Sequence, residues 1–103
     1  MNDIKLVKLV SGEEVIFKMS DFTDSTYIAV KPILLHVVPQ GNEQYGLQLF
    51  PYSASNPEGD QVIYRDKIVS ESVEVPEGLV KAYVQRTTGI EIASAVDAFA
   101  NLR

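Results

Sequence analysis

Apolar and polar residues alternate through Glu14-Val15-Ile16-Phe17-Lys18-Met19, which puts Val15, Phe17 and Met19 on one face of a strand. The run before it, Ile4-Lys5-Leu6-Val7-Lys8-Leu9-Val10, is also β-patterned and ends at the turn pair Ser11-Gly12. Together they predict a hairpin. Apolar residues fall on both faces of residues 4–10, and this predicts that a neighbouring subunit helps to bury them. Residues 20–25 form the next polar turn. Segments 26–30 and 33–38 are strand-like and flank Lys31-Pro32. Proline cannot donate to a ladder, so one long strand, bent or bulged at that pair, is expected. A hairpin loop at 39–43 leads to a returning strand at 45–50, with Tyr45, Leu47 and Leu49 on one face. Residues 51–60 make the longest loop, and 62–75 the last strand region, interrupted near Arg65-Asp66.

After Pro76 the period changes. Leu79, Val80, Tyr83 and Val84 fall on one stripe of an amphipathic helix over 76–88. Pro76 suits the first helical turn, where its missing N–H is harmless, and Gly89 suits a C-terminal cap. Ile92, Val96, Phe99 and Ala100 give residues 90–103 a second helical spacing. The order describes a single domain over 1–103, mainly β. It is a small, strongly bent antiparallel barrel of five strands over about 4–75, followed by a C-terminal helix. Side chains fill such a barrel, so function belongs on its loops, rims or subunit interfaces.

Charge narrows the functional classes. The 103 residues carry nine Lys and Arg and a net charge of -5, with no basic cluster, so DNA is not an expected partner. There is no Cys, and His36 is the one histidine, without the companions that a triad or a metal site requires. No phosphate-binding glycine loop occurs. The acid pairs Glu13-Glu14, Asp21 with Asp24, and Glu58 with Asp60 lie at turns, where solubilising and turn-forming roles explain them. The chain therefore reads as non-catalytic and free of cofactors. No apolar run reaches the ~18 residues of a membrane span, and no signal peptide is visible, so a cytoplasmic location is expected.

One segment combines an aromatic ring with two cations: Tyr64-Arg65-Asp66-Lys67. Phe22 lies at a turn, where a planar side chain stays accessible. Such rings either pack inside the molecule or stack on bases.

The chain resembles the Sm-like proteins. Leu9-Val10-Ser11-Gly12-Glu13-Glu14-Val15 resembles the opening hairpin of the first Sm motif, and residues 21–30 stand where that motif has its Asp-containing turn and third strand. Ile63-Tyr64-Arg65-Asp66-Lys67-Ile68-Val69 followed by Pro76 resembles the second motif, above all its short form in bacterial Hfq. Residues 47–53 and the helix at 77–88 are similar to a small phage-type subgroup. Phe17 stands where Sm proteins have glycine, the base-contacting Met-Asn pair is missing near Asp24-Ser25-Thr26-Tyr27, and Asp66 follows Arg65. The resemblance implies a cyclic homo-oligomer of about five to seven subunits joined edge to edge. It also implies single-stranded RNA as a ligand, met by Phe22, Asp24, Thr26, Tyr64, Arg65 and Lys67 near the pore. A non-catalytic assembly module that keeps the fold without RNA is the alternative.

Overall fold

The structure is a computed structural model that describes residues 3–88. Six strands are present: β1 (Ile4–Leu9), β2 (Glu14–Phe22), β3 (Thr26–Gly41), β4 (Gln44–Pro51), β5 (Gln61–Tyr64) and β6 (Ile68–Glu71). A 3-10 turn, Arg65–Lys67, joins the last two, and the helix α1 (Glu77–Thr88) follows. All pairings are antiparallel, in the order β4-β3-β2-β1-β6, with β5 also paired to β3. The sequence predicted five strands. The sixth arises because the 3-10 turn splits the expected last strand into β5 and β6, at the interruption expected near Arg65-Asp66; β5 stays on β3, next along it after β4, and β6 crosses to β1. The last strand stops at Glu71 rather than running on to Val75, although the Ser72 N–H still donates to the Leu6 carbonyl at 2.9 Å.

The expected bend is present. β3 is one 16-residue strand, and Lys31 adopts a φ of 42°, in the left-handed region. The β2–β3 register slips there, from Ile16↔Ile33 to Lys18↔Val30. Pro32 offers no N–H to the ladder, and its carbonyl accepts the Tyr52 N–H at 2.9 Å instead. The bend divides β3 into two working halves. Residues 33–41 carry β4 and residues 26–29 carry β5. The expected loop at 39–43 is tighter than the sequence suggested, because the strands run on to a two-residue turn. Asn42 and Glu43 both have positive φ, as a hairpin turn of that length requires. Gly12, at a φ of 93°, turns the first hairpin in a conformation that other residues rarely adopt.

Two apolar clusters lie on opposite faces of the curled sheet. Val7, Leu9, Val15, Phe17, Tyr27, Ala29 and Ile63 form the first, with Met19 packed against it as the alternation in β2 required. Leu6, Ile16, Ile33, Leu35 and Tyr83 form the second, and Leu79 from α1 packs there. Leu6, Val7 and Leu9 are thus buried within one chain, with α1 covering the Leu6 face, while Val10 stays 61% exposed. Burying a side chain the size of Phe17 or Ile16 contributes roughly 1.5–3 kcal/mol.

The helical stripe is rotated from its expected position. Ala82 and Tyr83 are buried, Leu79 and Val80 are half-buried, and Val84 is exposed. α1 docks across the β3 bend, where Lys31 Nζ donates to the Thr87 carbonyl at 3.0 Å. A cation at the last turn satisfies a carbonyl that the helix cannot. Residues 90–103, with their expected helical spacing, lie outside the described residues. No helix among the described residues is long and apolar enough to cross a membrane.

Candidate functional site

The turn between β2 and β3 is held by its own hydroxyls. Thr23 Oγ1 accepts the Ser25 and Thr26 N–H groups at 3.2 and 3.0 Å, and lies 2.7 Å from Thr26 Oγ1. The Thr23 N–H donates to the Thr26 carbonyl at 2.9 Å. Threonine is suited to this because a short hydroxyl reaches backbone groups two or three residues on. The 3-10 turn then docks onto it. The Arg65 N–H donates to the Ser25 carbonyl at 2.8 Å, and Arg65 Nη1 donates to the Thr23 carbonyl at 2.9 Å.

This docking gathers five of the six expected residues around the two turns. Thr26 pairs with Tyr64 across β3 and β5, Phe22 pairs with Tyr27 across β2 and β3, and Arg65 follows Tyr64. Phe22 and Tyr64 are 57% and 59% exposed, enough to present ring faces to a ligand. Asp24 is exposed in the same turn. Lys67 lies apart, at the far end of the 3-10 turn, where its carbonyl accepts the Val10 N–H at 2.8 Å. The hydroxyl of Thr26 is engaged with that of Thr23 within the turn.

The rim has a support that the sequence did not disclose. The Arg65 guanidinium lies 4.7 Å from the centroid of the Tyr27 ring, a cation–π distance. Tyr27 Oη donates to Glu71 Oε1 at 2.7 Å, and Lys5 Nζ pairs with Glu71 Oε2 at 3.2 Å. Burial, then the hydrogen bond and charge of Glu71, push the Tyr27 phenol above its usual value. The chain therefore keeps it neutral and donating. This set links β1, β3, the 3-10 turn and β6 across separations as large as the 66 residues from Lys5 to Glu71, and no local pattern marks it.

Charge at the rim is mixed. Arg65 is the cation that docks on the 23–25 turn, while Asp21, Asp24 and Asp66 are exposed nearby in sequence. An open groove of about 760 Å³ adjoins this support, between β1 and residues 71–77, and it is lined by Lys5 and by Glu71, Glu74 and Glu77. Three carboxylates against one ammonium make it a poor receptor for phosphates. Among the described residues no group of His, Cys, Asp and Glu is arranged to hold a metal ion. No protein-family model and no curated protein matches the chain.

Proposed function

We propose that the chain is an Sm-like module that closes into a ring of identical subunits and offers the rim of Phe22, Asp24, Thr26, Tyr64 and Arg65 to single-stranded RNA, with Lys67 adding charge. One observation carries the reading: Arg65 binds the Thr23 carbonyl, and the chain neighbours of these two residues, Tyr64 and Phe22, both keep exposed rings. Stacking on such rings is tolerant of sequence and contributes roughly 1–3 kcal/mol per base.

The sheet order supports the Sm-like part of the reading. β4 and β5 lie in succession along β3, so they count as one strand interrupted by loop 52–60. Five strands then remain, with the last returning to β1 through a three-residue 3-10 turn. The sheet edges support the ring. β5 pairs only with β3 and β6 only with β1, and the exposed Val62, Tyr64 and Val69 lie on these outer strands. Pairing β5 of one copy with β6 of the next removes these two edges in a closed cycle and leaves that of β4.

A specific feature favours the alternative, an assembly module without RNA. The Arg65 guanidinium is already engaged by Thr23 and Tyr27, and aspartates outnumber cations around it. Titration of short U-rich and A-rich RNA at low salt decides between them. RNA binding requires affinity that falls steeply with salt, and a smaller salt slope in Arg65→Ala. Absence of binding at low salt leaves the assembly module.

A further inference from the structure

The β3–β4 hairpin is an apolar ribbon that α1 covers only at its root. Ile33↔Pro51, Leu35↔Leu49, Val37↔Leu47 and Pro39↔Tyr45 pair in register, and this alternation puts their side chains on one face. At the root, Leu35, Leu47 and Leu49 join the cluster under Leu79 and Tyr83. Towards the tip the same face is open: Val37 is 54% exposed and Tyr45 63%. We propose that this face docks on the same face of a second copy of the chain, ribbon against ribbon across a two-fold axis.

Charge identifies the occupant. Residues 33–50 contain one formally charged side chain, Glu43 at the turn, and no Lys or Arg occurs between Lys31 and Arg65. A nucleic acid or an anionic lipid surface finds no counter-charge there, and a basic partner finds only Glu43. A chain of net charge -5 meets its own copy with least repulsion at a patch free of that charge, and this is such a patch. β4 itself has no charged residue, and the devices that guard an edge strand stand only at its two ends, Pro51 and the register shift opposite Pro39 and Gly41. A two-fold contact makes the patch self-complementary, with a tyrosine of each copy as a central anchor. The chain's own helix does not extend over the tip. α1 meets the ribbon root at Leu79 and runs to the β3 bend, where Thr87 meets Lys31.

This contact is independent of the β5 and β6 edges. If those edges close a ring, ribbon pairing joins two rings; if they do not, it makes a dimer. Light scattering on the full chain tests it with two double variants, Val37→Glu/Tyr45→Glu and Val37→Lys/Tyr45→Lys. Each is expected to have half the mass of the native particle, with a melting temperature within a few degrees of native. Mixing the two is expected to restore the native mass, because opposite charges then face each other. Unchanged mass with a lowered melting temperature would mean that the chain's own residues 89–103 cover the face, and would overturn the proposal. So would unchanged mass with unchanged melting, which assigns the face to a different partner, or failure of the mixture to recover.

Discussion

The phenol of Tyr83 donates its proton to the carbonyl oxygen of Val30. Its oxygen also accepts the Lys18 N–H at 3.0 Å. Lys18 and Val30 are register partners across β2 and β3, next to the slip at Lys31-Pro32. A side chain of α1 thus completes the hydrogen bonding of a ladder that the bend interrupts. The helix that covers one face of the sheet also stabilises the bend on which the path of β3 depends.

Tyr83→Phe removes one hydroxyl and leaves a part-buried N–H and a part-buried carbonyl without it. An expected loss of about 2 kcal/mol follows from the cost of unsatisfied polar groups. A urea titration checks it, with the slope unchanged and the midpoint lowered.

Alkaline pH is expected to destabilise the fold. Burial raises the Tyr83 phenol, against the Lys18 hydrogen bond, and burial with Glu71 raises Tyr27. A folded value above the unfolded one gives stability that is complete below about pH 10 and is lost as pH rises through the folded value. The melting temperature should fall more steeply above pH 10 in the native chain than in Tyr83→Phe. Equal slopes would show that Tyr83 does not contribute.

Leu79 and Val84 are expected to respond differently to aspartate. Leu79 packs against the second cluster, so Leu79→Asp places an unpaired charge in an apolar site and should cost about 3 kcal/mol. Val84 is 43% exposed, and Val84→Asp should stay within about 0.5 kcal/mol of native. Chemical denaturation of both variants measures the contrast.

Glu71→Ala removes the acceptor of the Tyr27 hydroxyl and the partner of Lys5. Tyr27 is 6% exposed, so its phenol has little water to turn to, and a loss of about 1–2 kcal/mol is expected. Glu71→Gln keeps an acceptor and should recover part of it. Equal stability of Ala and Gln variants would show that the hydrogen bond is not what matters.

Much of the fold was legible because local chemistry dictates it. Ser11-Gly12 needs the backbone freedom of glycine, Lys31-Pro32 breaks a ladder wherever it stands, and Val15, Phe17 and Met19 can share a face only in a strand. The rim was legible in part for the same reason: Phe22 and Tyr64 flank turns, and turns leave rings exposed. Lys67 was grouped with Arg65 by adjacency, but a 3-10 turn sends consecutive residues to different sides, one towards Ser25 and one towards Val10.

By itself, then, the sequence determined the strands, the bend in β3, the terminal helix and the near-absence of charge from residues 33–50. These depend on spacing and composition within short windows. Only the tertiary structure decided that α1 covers the Leu6 face of β1, that β4 and β5 both lie along β3, and that Arg65 rests on Tyr27 beside Thr23. Each of these depends on contacts between residues far apart in the chain. Their partners are selected by the curl of the sheet and the docking of the helix, which no local pattern encodes.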